Sequence, residues 1–176
     1  MDKAELMEVK IIPLEEVVMD LRARDWCKFP YPDHPKGCPN YGKKEGCPPS
    51  APIWTDVMKS PYVMVAVRFN LAEWARQLKE KNPHFTDRQA RCCLYWQGMV
   101  RKRLKDECKD FVSTLTRYAS DMKALGRNLP DPNPVIHYCP EAMGVHVFET
   151  CYKNGVKLHK NPQDYVWKVA IIGEKK

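Results

Sequence analysis

The chain lacks the marks of most familiar catalytic and binding classes. No run in its 176 residues approaches membrane-spanning length, and its start, MDKAELMEVKIIPLEEVVMD, alternates acidic with apolar residues where a secretory leader carries an unbroken apolar stretch. A soluble, cytoplasmic protein with no membrane partner is expected. Glycine is scarce, at 8 residues, and none of it forms a phosphate-cradling loop or a dinucleotide fingerprint. A metallohydrolase histidine motif and a nucleophile elbow are likewise missing. There is neither an RNA-binding aromatic signature nor zinc-finger spacing, so the formal charge of +7 does not by itself identify a nucleic-acid protein. Internal repeats and low-complexity tails are absent. The length suits one domain, 1–176, large enough to bury a core without cross-links.

Against that background, 8 cysteines need a reason. In a reducing compartment free thiols or metal ligands are commoner than disulfides. Three of them, Cys27, Cys38 and Cys47, lie in WCKFPYPDHPKGCPNYGKKEGCPPSAP, a stretch in which seven residues are proline. Proline fixes φ and removes a backbone donor, so this stretch is neither helix nor central strand. Gly37, Gly42 and Gly46 permit tight turns between the thiols, while Pro39, Pro48 and Pro49 stiffen the chain beside two of them. The gaps, ten and then eight residues, are wider than zinc-knuckle pairs and unlike the tight bacterial ferredoxin run. A stiff irregular loop holding soft thiolates suits an iron-sulfur cluster first and zinc second. Cys139, in a second loop, is the candidate fourth ligand, and Cys151 is its rival. His34 is a substitute ligand for a zinc site, or else a solvated loop histidine.

Around these loops the pattern predicts an α/β domain: a small central mixed sheet covered by helices, with an irregular cysteine-rich metal-binding loop. Strands are expected at 9–12, at 62–69, where β-branched residues recur in YVMVAVRF, and at 166–172. Helices are expected at 14–24, 51–59, 71–81 and 141–153, with Pro13 separating the first strand from the first helix. Thr86 and Gln89 form a capping-box pattern opening a long helix that runs to about Met122, with room for a break. On that helix Cys93 and Cys108 follow the apolar stripe and read as core. Cys92 points elsewhere, because adjacent helical side chains do not share a face.

The segments CPNYGKKEGCPP and HYCPEAMGVHVFETCYKNG together resemble the largely uncharacterised family of predicted metal-binding proteins with a Cys-Pro-Pro motif. The matching positions are Cys27, Cys38, Tyr41, Gly42, Lys43, Cys47, Pro48, Pro49, Cys139, Glu141, Ala142, Gly144 and Val147, and the likeness spans about residues 20–160. It implies a metal site held by the early cysteines and the late one. Relatives often carry a further compact cysteine group before the late cysteine, where this chain has only GRNLPDPNPVIHY, so a second cluster is not expected.

The chemistry then divides on the fourth ligand. With Cys27, Cys38, Cys47 and Cys139 all bound, a [4Fe-4S] cluster is closed and suits electron transfer, with a redox protein as partner. With three bound, the open iron is a Lewis acid fit for desulfuration of an anionic small molecule. Arg88, Arg91 and Arg101 are then candidates to receive its charge, and His137, two residues before Cys139, is a candidate proton donor or a structural histidine. A zinc-stabilised nucleic-acid-binding or protein-interaction module without catalysis is the alternative.

Overall fold

In YVMVAVRF both registers are apolar, as a strand covered on two faces requires. In the computed structural model, which describes residues 4–31, 34–127 and 129–176, this segment is the middle of strand β2, Met58–Asn70. Strands β1 (Met7–Leu14), β3 (Pro134–His137) and β4 (Tyr165–Lys175) join it in the order β1-β2-β4-β3. All three pairings are antiparallel, so the expected central sheet is present but not mixed. Pro13 does not end β1; it pairs with Val63. It is tolerated because β1 is an edge strand with backbone donors to spare.

Alternate residues of β2 feed two cores. Val65, Val67 and Phe69, with Ala170 and Ile172 of β4, face helix α4 (Gln97–Ala124) through Val100, Leu104 and Cys108. Met64 and Ala66, with Ile171, face the opposite side. There Trp54 of the short helix α1 (Trp54–Val57) and Cys151 of helix α5 (Val147–Lys153) complete the packing. Helix α2 spans Leu71–Lys81 as its sequence predicts, and Asn70 caps it by accepting from the Glu73 N–H at 3.0 Å.

The capping box of Thr86 and Gln89 forms, but it opens only the short helix α3, Asp87–Ala90. The long helix breaks before Trp96. Its indole turns into the core, stacks on Phe69 at 5.3 Å and donates to the Arg91 carbonyl at 3.1 Å. The expected helix at 14–24 is replaced by a 3-10 helix over Leu21–Lys28, started by the Asp20 carboxylate. The one expected at 141–153 is split by Gly144, whose φ of 88° is left-handed, into a 3-10 turn (Pro140–Met143) and α5. Among the described residues no helix is long and apolar enough to cross a membrane. Pro32 and Asp33 of the cysteine loop, and Asn128, lie outside the described residues.

A candidate metal centre where two loops meet

Cys27 and Cys139 are far apart in sequence, and a short backbone zipper brings their segments together. Met19 bridges Val145, the Asp20 N–H donates to the Gly144 carbonyl at 2.8 Å, and the His146 N–H donates to the Val18 carbonyl at 2.8 Å. Gly144 is required at this crossing, because a Cβ there meets Leu21 Cδ2 at 2.8 Å. Trp26 packs edge-on against His146 and Phe148, with ring centroids 5.2 and 5.9 Å away. The 3-10 helix carrying Cys27 is thereby laid along the turn that begins immediately after Cys139.

The loop folds the other two thiols back onto this junction. The Cys38 N–H donates to the Cys27 carbonyl at 2.7 Å. Gly37 makes that approach possible: its φ is 84°, and a Cβ would lie 2.6 Å from the Cys27 carbonyl oxygen. Around Cys47, the Gly42 N–H donates to the Pro48 carbonyl at 2.8 Å and the Ala51 N–H to the Cys47 carbonyl at 2.9 Å. Arg24 ties this corner to the 3-10 helix by donating Nη2 to the Pro49 carbonyl at 2.7 Å. Its Nη1 is buried and has no partner among the described residues. Arg24 and Cys27 are three residues apart in a helix of about three residues per turn, so they share a face.

Cys27, Cys38, Cys47 and Cys139 are all free thiols. Burial pushes the Cys27 thiol up to about 11, and the proximity of Cys38, Glu141 and Cys47 adds to it. Cys139 is also pushed up to about 11, by burial, then by Glu141, and to a lesser degree by Cys27 and Cys47. Water still reaches the Cys139 side chain. The mutual influence of Cys27 with Cys38 and Cys47, and of Cys139 with Cys27 and Cys47, groups the four thiols in one neighbourhood. Neither Cys27 nor Cys139 carries the lowered pKa of an activated nucleophile. Nor do the four thiols close on a single point, since among the described residues no three Cys, His, Asp or Glu side chains are placed to hold one metal ion.

Four further side chains, absent from the expected ligand set, surround the thiols. Tyr31 hydrogen-bonds to Cys38 and lies within electrostatic reach of Arg101. Lys168 of β4, half-buried, has its pKa lowered by burial and by Arg101, with Cys139, Glu141 and Cys93 opposing. Burial raises the Glu141 carboxyl, against its own backbone N–H and Lys168. The sequence signal for Lys168 is a lone lysine in the apolar strand VWKVAII, on the opposite face from Trp167.

Other expected residues lie elsewhere. Cys151 is buried in the second core, its thiol 3.5 Å from Met64 Sδ, and burial pushes it up to about 12. Cys108 is fully buried in the first core, and Cys93 packs partly against it. Cys92 is half-buried at the break before Trp96. His137 sets its ring 5.0 Å from Trp54 and its Nε2 3.3 Å from Met58 Sδ. His34 pairs through its backbone with Tyr31, and the two rings lie 4.6 Å apart. Arg91 donates to the Gln163 carbonyl, and Arg88 is exposed on α3, which leaves Arg101 as the member of that trio beside the thiols. Compared with protein-family models, curated proteins and solved structures, the chain matches none of them.

Proposed function

We propose that this protein is a carrier of one [4Fe-4S] cluster, held by Cys27, Cys38, Cys47 and Cys139, that passes single electrons. The reading rests on the gathering of these four thiols from two segments distant in sequence. Soft thiolate donors on a stiff irregular loop support iron-sulfur over zinc. Sulfurs on a tetrahedral zinc lie only about 3.8 Å apart, given a Zn–S bond of about 2.3 Å. The thiols here are grouped, though among the described residues no three Cys, His, Asp or Glu side chains are placed to hold one ion. The likeness to the Cys-Pro-Pro family agrees with this assignment.

The cluster would supply one-electron chemistry; the residues of the chain set its environment. The rigid turns at Gly37 and Pro48 fix the thiols, and Lys168 with Arg24 offsets negative charge on them. Cys139 placed beside Cys27 and Cys47, with Cys151 in the apolar core, favours four protein ligands and a closed cluster over an open, desulfurase-like iron. Iron and sulfide analysis of anaerobically prepared protein, with electron paramagnetic resonance after reduction, tests this. About four irons and four sulfides per chain with a reducible signal are expected. Stoichiometric zinc without sulfide after anaerobic reconstitution overturns it. A small thiol that perturbs one iron in the spectrum moves the assignment to the open-site alternative.

A further inference from the structure

The rim of the thiol site is basic and lacks internal partners. Beside Cys38 a depression of about 330 Å³ is lined by His34, Lys36, Tyr41 and Lys43. Lys36, Lys43, Lys44 and Arg101 are exposed, and among the described residues none of their side chains makes an ion pair or hydrogen bond. Elsewhere on the surface several cations are matched, as in Arg76 with Glu73 and Glu80, Lys102 with Asp106 and Arg103 with Glu107. Of the acids described on the loop, Asp25 is taken by Lys28 at 2.6 Å, and Glu45 is left. Two large side chains, Phe29 at 59% exposure and Tyr31 at 45%, stand on the same loop. Tyr31 reaches both Cys38 and Arg101, so the loop rim and the α4 rim flank one opening.

We infer that this rim, formed by Lys36, Lys43 and Arg101 around the exposed Phe29 and Tyr31, is the docking surface for an acidic one-electron carrier protein. Unpaired cations beside exposed aromatics form a patch complementary to clustered carboxylates, and such patches act chiefly by speeding encounter. Redox encounters also use small interfaces, under about 1,200 Å² in total, which a rim around one site satisfies. The inference rests on the cluster reading for its redox step. One electron leaves the reduced centre of the carrier, oxidising it by one, and reduces the bound cluster by one; no bond forms and no proton moves.

The test uses the full chain with its cluster, a reduced acidic ferredoxin as donor, and the same ferredoxin with its carboxylates amidated as control. Wild-type reduction by the acidic donor should be fast at low ionic strength and slow at least tenfold on raising salt, since screening shortens steering. K36E/K43E should lower the low-salt rate about tenfold or more and flatten the salt dependence, with K36Q/K43Q intermediate. Cluster content and reduction by an uncharged chemical reductant are measured on each variant. Equal rates for acidic and amidated donors, or for wild type and both variants with the cluster retained, overturn the inference while leaving the cluster reading intact. If the protein proves to contain no cluster, that reading fails. Binding of the oxidised acidic ferredoxin at low salt then decides the docking surface, with weakening by K36E/K43E supporting it and no binding overturning it. Tighter, strongly salt-dependent binding of a single-stranded RNA at the same lysines also overturns it.

Discussion

The sheet body and the cysteine loop are ordered by different forces. In the body, Phe69, Val65, Val67 and Met64 are wholly buried, and apolar burial of about 25 cal/mol per Å² drives the packing. Among the described residues of the loop from Phe29 to Ser50, Gly37 and Pro48 are the buried positions, and the structure is carried by turns and backbone hydrogen bonds between Cys27 and Cys38 and between Gly42 and Pro48. Such a segment gains too little from apolar burial to offset the entropy of ordering more than twenty residues, on the order of 1–2 kcal/mol each. In the proposed reading, bonds from the thiols to a cluster would offset that cost. The zipper at Met19, Gly144 and Val145 lays the 3-10 helix that leads into the loop on the body.

The largest expected effect breaks this comparison at the thiols. C139A should abolish or strongly deplete the cluster and raise protease cutting within the loop, while C151A should retain iron and sulfide. Losing Cys151 instead leaves a cavity beside Met64, which lowers the melting point of the body. Iron content and limited proteolysis of both variants check this pair. Equal cluster retention in C139A would remove Cys139 from the ligand set.

Next in size, F69A attacks the body alone. Phe69 is fully buried, stacked on Trp96 and 5.9 Å from Trp74, so truncation should cost about 3–5 kcal/mol by chemical denaturation. Cluster content per folded molecule should not change. A smaller, sharper probe is G37A. It forces a side chain into a left-handed backbone and against the Cys27 carbonyl, so it should cut cluster occupancy while leaving the far-ultraviolet dichroism of the sheet and helices as it was. An unaffected cluster would show that the Cys27 and Cys38 backbones need not touch.

The same contrast explains what could be read from the sequence. In the body, apolar periodicity is written by burial, so β2, α2 and β4 were legible from their residues alone. What periodicity cannot register is a side chain's tertiary errand. Trp96 interrupts an otherwise continuous helical pattern because its indole fills the space over Phe69. Strand β3 is four residues long and follows a proline-rich run, too short to show alternation. In the candidate site, thiols beside Gly-Pro turns announced themselves by chemistry. Lys168, Tyr31 and Arg24 did not, because a lysine in a strand or an arginine in a short helix looks solvated until the neighbouring segment is placed on it.

The smallest effect concerns His137, the body's own titratable link to the strand that ends near Cys139. Burial against Trp54 and Met58 lowers its pKa below the ordinary 6.5, so the unfolded chain binds its proton more readily than the folded one. Stability from this group is therefore fully present above pH 6.5 and is lost as pH falls below it. Carboxylates such as Glu73, held down to about 2 chiefly by Arg76, lose their contribution only below the carboxylate reference of 4.5. Glu141, raised by burial, titrates toward the same interval with the opposite sign, so it is the comparison with a His137 variant that isolates the histidine. H137F keeps a ring against Trp54 and removes the proton site, so its melting point should fall less steeply from pH 6.5 down to about pH 5 than that of the wild type. Parallel curves for the two proteins would mean that His137 reaches water and carries no linkage to folding.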